Sequence, residues 1–164
     1  MRVGVFICHC GSNIAGTVDV ARAAAELRKV PGVAFATNYM YTCSEPGQDE
    51  IKQAIKRENL DRIVVAACSP RMHELTFRRT IEKAGLNRYF LEMANIREHI
   101  SWVGLDKEAN TIKAIETIKM AVAKVMQNKP LYSSSFKINK RVLVIGGGVA
   151  GMQAALDCGD GGLE

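Results

Sequence analysis

The chain has 164 residues, 48% of them hydrophobic and 24% charged, with a net charge of +5. That is the composition of a soluble globular protein able to bury one core with chain to spare. Lysines and arginines are scattered among acids with no long basic run, which argues against nucleic-acid binding, and no apolar run approaches membrane-spanning length. A basic patch that docks an acidic partner protein stays open.

The first residues, MRVGVFICHC, run directly into strand-like sequence and lack the features of a secretory signal. The chain therefore reads as cytoplasmic, where its five cysteines stay reduced and serve metal binding or catalysis before disulfides. Val3 to Ile7 is a short β-branched run, as in a buried parallel strand. Thr17 to Lys29 reads as a helix with Val18, Ala21, Ala24, Ala25 and Leu27 as its apolar stripe, stopped by Pro31-Gly32. Val33 to Thr42 is the second strand. Ser44, Pro46 and Gly47 turn into a second helix that ends near Glu58, with Ile51, Ala54 and Ile55 facing inward.

Ile63 to Ala67 is the clearest buried strand; a helix follows from Arg71 to Ala84 and stops at Gly85. Tyr89 to Met93 is the fourth strand. Ala94 to Leu105 is irregular, and a long helix spans Asp106 to Gln127 on Ile112, Ile115, Ile118, Val122 and Val125. Alternating strands and helices predict βαβ units: a small doubly wound parallel sheet of about four strands, flanked by helices, over residues 1–127. Residues 128–139 form a polar, Ser-rich linker. Residues 140–164 begin a new element, with a strand at Arg141 to Ile145, a glycine-rich turn, and a helix from Met152 to Cys158.

The cysteines are placed with a pattern. Cys8 and Cys10 lie where the first strand ends, Cys43 where the second ends, and Cys68 where the third ends. In a doubly wound sheet all carboxyl ends share one edge, where ligands bind at the topological switch point. With strand order 2-1-3-4, neighbouring strands about 4.8 Å apart let four thiolates converge on one metal centre. Ser44 and Ser69-Pro70 suit helix starts, so the positive ends of two helix dipoles face Cys43 and Cys68 and favour thiolates. Gly11 and Gly47 allow close backbone approach. Each cysteine alone could be core filler, but four on one edge point to a shared site. Cys158 reads as a separate buried thiol.

Four thiolates suit structural zinc as well as iron and sulfide. The C-x-C pair followed by two long gaps matches neither paired zinc knuckles nor ferredoxin runs. The domain's own core tips the balance towards a redox centre. A zinc-stabilised docking domain without redox activity is the alternative, and a thiol–disulfide enzyme using Cys8 and Cys10 is a third reading. His9 reads as exposed or supporting the ligands, and His73 and His99 have no metal-ligand spacing. Arg71, Arg78, Arg79 and Arg97 read mostly as solvated, with one or two offsetting a cluster's charge. Trp102 and Phe90 read as packing. RVLVIGGGVAGMQAALD is a strand, Gly-x-Gly-x-x-Gly and a helix: Gly146 for the turn, Gly148 for pyrophosphate approach and Gly151 for helix packing. It reads as the opening of a truncated flavin or nicotinamide domain, without the acid that would hold the ribose.

FICHCGSNIAG, YTCSEPGQ, AACSPRMHELTFRR and EMANIREHISWV, followed by the glycine-rich turn, make the chain resemble the amino-terminal part of the heterodisulfide reductase A subunit. The resemblance implies an iron–sulfur flavoprotein oxidoreductase of anaerobic metabolism. Cys8, Cys10, Cys43 and Cys68 would ligate one 4Fe–4S cluster that transfers electrons. Gly146, Gly148 and Gly151 would belong to a Rossmann-type FAD domain, with FAD bound in the full-length protein and not by this stretch alone. The expected partners are the other heterodisulfide reductase subunits, a hydrogenase or formate-linked electron donor, and ferredoxin. No activity is expected of the chain in isolation.

Overall fold

The computed structural model describes residues 1–164. Residues Met1–Leu131 form one compact unit and Tyr132–Glu164 another. The first unit holds strands β1 (Val3–Cys8), β2 (Val33–Tyr39), β3 (Arg62–Ala67) and β4 (Leu91–Asn95). They form a fully parallel sheet of four strands in the order β2-β1-β3-β4. Helices α2 (Val20–Leu27) and α5 (Lys107–Gln127) pack on each other and on one face of the sheet. Helices α3 (Glu45–Arg57) and α4 (Pro70–Lys83) pack on each other, reaching β1 and β4 respectively. The chain leaves β1 towards β2 and leaves β3 towards β4, in opposite directions. The crevice between the carboxyl ends of β1 and β3 is therefore the switch point of the sheet.

Central strands need cover on both faces, and the sequence provides it. Every residue of β1 is buried, as are Ile63 to Ala67 of β3. The edge strand β2 is only partly covered. Phe6, Ile7, Ile14, Leu27, Ile51, Phe77, Ile81 and Ile118 fill the layers between sheet and helices. Burying a side chain of that size contributes about 1.5–3 kcal/mol. In α2 the inward face is Val20, Ala23, Ala24 and Leu27, while Ala21 and Ala25 face solvent. Alanine is apolar without demanding burial, so the periodicity alone placed the stripe slightly off. In α5, Ile115, Ile118, Val122 and Val125 are buried but Ile112 is half exposed.

Strand β4 begins two residues later than its hydrophobicity predicts. Leu91 pairs with Ile63 and Asn95 with Ala67. Tyr89 and Phe90 lie outside the ladder and serve as platforms for cations: the Arg62 guanidinium stands 3.5 Å from the Phe90 ring centroid and that of Arg78 stands 5.0 Å from Tyr89. Two elements are absent from the sequence reading, a single turn of helix α1 (Ser12–Ala15) and a π-helical turn at Arg97–Ser101. The π turn is held by Ile96 and Ile100, both buried, and its Ser101 hydroxyl bonds to the Thr17 hydroxyl and the Asn13 carbonyl beside α1.

In the second unit, helix α6 (Val149–Asp160) follows the glycine-rich turn. Gly146 has φ of +117°, and a side chain at Gly151 would collide with the Gly146 carbonyl, so both positions require glycine. The predicted strand at Arg141 to Ile145 does not form. Leu143 and Ile145 are more than four-fifths exposed, and the backbone of this stretch is tied only to Glu164. A strand exists through its ladder, and these residues have no second strand to pair with. Cys158 is half-buried rather than enclosed.

Candidate metal centre

Three loops at the carboxyl edge of the sheet carry the cysteines. Cys8 is the last residue of β1, and Cys10 follows in a sharp turn with Cys10 at φ +51° and Gly11 at φ +60°. Left-handed backbone costs a non-glycine residue roughly 1–2 kcal/mol. The Cys10 amide offsets part of that cost by donating to Cys8 Sγ at 3.3 Å. Cys43 follows β2 and immediately precedes the α3 N-cap, where the Ser44 hydroxyl accepts from the Gly47 amide. Gly47 lies so close to the Tyr41 carbonyl and to Thr42 that a side chain there would collide with backbone. Cys68 follows β3, and Ser69 caps α4 by accepting from the Arg71 amide, with Pro70 at the first helical position. The two helix amino ends therefore point at the edge that holds Cys43 and Cys68, as the sequence predicts.

Cys8 and Cys68 are buried, Cys10 and Cys43 partly so, and all are free thiols. Burial pushes the Cys43 thiol up, and the nearby Cys8 and Cys10 add to this while Arg97 opposes it. Burial pushes Cys68 up to about 11; Arg97 again opposes, and Cys10, Glu98 and Cys43 reinforce. In the metal-free chain burial is the largest influence on both thiols, and it favours the neutral form. Desolvation disfavours a thiolate until a cation compensates it. Cys8 Sγ also lies 3.8 Å from the Met40 carbonyl, a weak thiol contact that deprotonation would dissolve.

The fourth strand contributes a cation. Arg97, just beyond β4, donates from Nη1 to Cys10 Sγ at 3.2 Å and from Nη2 to Glu98 Oε1 at 2.8 Å. Its guanidinium stands 4.7 Å from the Trp102 ring centroid and 3.1 Å from Met72 Sδ. Burial opposes the Arg97 charge, but the bonds to Glu98 and Cys10 raise its pKa nonetheless. Burial likewise opposes the Glu98 charge, and the Arg97 bond lowers its pKa. Trp102 is a lid on this cation, 59% exposed, and not the packing residue its hydrophobicity suggests. Arg78 instead pairs with Glu74, and Arg71 and Arg79 are exposed. His9 pins its loop by bonding Asn38 at 2.7 Å, and His73 packs edge-on to Phe77.

The residues present suit a bound iron–sulfur group. Five buried side-chain polar atoms lack a partner, and three of them, Thr42 Oγ1, Arg97 Nε and Glu98 Oε2, belong to residues next to the cysteine loops. A polar guest is what such atoms accommodate. No three His, Cys, Asp or Glu side chains converge tightly enough to grip a single ion. Of Arg97, Glu98 and Thr42, the sequence reading named only Arg97, as one of four arginines of which one or two offset a cluster's charge. The signal was available for two of them: Arg97 and Glu98 follow the end of β4, as the cysteines follow their strands.

No family model matches the chain. It is similar over its whole length to the A subunits of heterodisulfide reductases. It is 52% identical over 164 residues to the A subunit of the H2:CoB-CoM heterodisulfide, ferredoxin reductase of Methanothermobacter marburgensis, a match that covers 99% of this chain. It is 53% identical to the second iron–sulfur A subunit of the CoB–CoM heterodisulfide reductase of Methanopyrus kandleri, again over 99% of the chain. The A subunit of the ferredoxin/F420H2-dependent CoB-CoM heterodisulfide reductase of Methanosarcina acetivorans is 50% identical over the same span. The chain spans 21–25% of the length of these relatives. No helix is long and apolar enough to cross a membrane.

Proposed function

We propose that this chain, an N-terminal part of the A subunit of heterodisulfide reductase, is an electron-transfer module in which Cys8, Cys10, Cys43 and Cys68 hold one 4Fe–4S cluster. A cluster held there supplies one-electron storage and transfer. The chain's own residues do the rest. Four thiolates provide the ligands, and the α3 and α4 amino ends with the Arg97 guanidinium stabilise their negative charge. The Cys10 amide donates to the Cys8 sulfur, and burial of Cys8 and Cys68 keeps water from two of the four bonds. Residues 1–127 are the cluster domain, 128–139 a linker, and 140–164 the opening of an FAD domain that binds FAD through Gly146, Gly148 and Gly151 together with the rest of the longer protein. The module exchanges electrons in the cytoplasm with other subunits of the complex, a hydrogenase or formate-linked donor, and ferredoxin.

The observation that carries this reading is four free thiols in the loops at the carboxyl edge of one parallel sheet, faced by two helix amino ends and by a nearly buried guanidinium bonded to Cys10 Sγ. The test is anaerobic purification of the full chain, followed by iron, sulfide and zinc analysis. Equal iron and sulfide at the level of one cluster per chain, with an EPR signal after dithionite reduction, is the expected result. Stoichiometric zinc in a colourless, redox-silent protein overturns it in favour of a structural zinc domain.

A further inference from the structure

We propose that Arg97 is a positioning residue for the cluster, holding the Cys10 sulfur by a charge-assisted hydrogen bond, and that Arg97 and Glu98 together set how readily the cluster accepts an electron. This rests on the four-cysteine reading above and deepens it. Arg97 is built into the site. Its side chain is only 12% exposed, and both terminal nitrogens are engaged, Nη1 with Cys10 Sγ and Nη2 with Glu98 and Met72 Sδ. Trp102 covers its face. The π turn fixes where it starts: the Asn95 side chain accepts from the Glu98 amide at 3.1 Å, and the Trp102 amide donates to the Arg97 carbonyl at 2.9 Å. Inserted turns of this kind recur at functional sites.

The sign of each effect follows from charge. One electron from a donor, dithionite in the test, adds one negative charge to the cluster and its sulfur ligands. The guanidinium touching a ligand sulfur stabilises that added charge, and the neighbouring carboxylate opposes it. The guanidinium stays protonated throughout, so its contribution moves no proton. Removing the cation must lower the midpoint potential, and removing the anion must raise it. A residue that merely supports the loop would show no such opposition of sign.

The experiment is an EPR-monitored redox titration of the anaerobically purified full chain, with iron and sulfide measured on every sample. R97Q is expected to shift the midpoint to more negative potential and E98Q to more positive potential. R97K, which keeps the charge but loses the planar fork, is expected between wild type and R97Q. If R97Q fails to hold the cluster, R97K should restore loading and E98Q should still shift positively. A fully loaded R97Q with an unmoved midpoint, R97Q and E98Q shifting the same way, or an unmoved E98Q overturns the inference while leaving the cluster reading intact. A wild-type chain without iron and sulfide overturns both.

Discussion

Cys10 is held in left-handed backbone beside Gly11, and this single conformation makes the C-x-C pair usable. Extended backbone would send alternate side chains of a C-x-C sequence along the same face but away from the other loops. The turn instead folds the loop back so that its amide meets Cys8 Sγ and its thiol meets Arg97. At this scale the ligands can be tested singly. Cys43→Ala and Cys68→Ala should each abolish bound iron and the broad visible absorbance, with far-ultraviolet circular dichroism nearly unchanged, because neither thiol belongs to a sheet ladder. The metal-free thiols also imply a pH limit. The folded-state value of Cys68, about 11, lies above its ordinary 9.0. Its contribution is therefore complete below about pH 9 and is lost as pH rises towards 11. Urea denaturation of the apo chain should show falling stability across that window, and Cys68→Ala should flatten the fall.

Helix starts are the elements that point at the site. Ser44 and Ser69 with Pro46 and Pro70 were legible as caps because side-chain capping is local chemistry, decided within a few residues. The placement of Gly47 against Tyr41 and Thr42 was legible only as permissiveness, because the close approach is made by the preceding loop. Gly47→Ala should destabilise the fold by roughly 1–3 kcal/mol, through overpacking, and loosen the Cys43 loop. Its denaturation midpoint and its iron content should fall together. The π turn shows the opposite case. Nothing in the composition of Arg97 to Ser101 prescribes a π turn; buried Ile96 and Ile100 and the bonds from Ser101 to Thr17 and Asn13 impose it. Ile96→Ala should cost about 2–5 kcal/mol by leaving a cavity, measurable by urea denaturation.

Across the whole molecule, the first unit has its own core and the second does not. No residue of α6 is buried, and Tyr132, Phe136 and Ile138 in the stretch before it are about four-fifths exposed. Limited trypsin digestion should therefore cut at Lys137, Lys140 or Arg141 and leave a resistant fragment containing residues 1–131 with its iron still bound. Mass spectrometry and iron analysis of the fragment check both halves of that statement.

Periodicity and β-branched runs by themselves determined the parallel sheet, the four main helices and the positions of Cys8, Cys10, Cys43 and Cys68 after their strands. These follow from interactions within a few residues and from the rule that parallel strands need crossovers on covered faces. The same rule could not reveal that Arg97 completes the edge or that Trp102 covers it. It also could not show that burial would raise the Cys43 and Cys68 thiols. Those outcomes depend on which side chains meet across the ends of four strands, and on how much water each contact removes. Only the folded arrangement brings residues so distant in sequence within hydrogen-bonding range and fixes the dielectric in which their charges act.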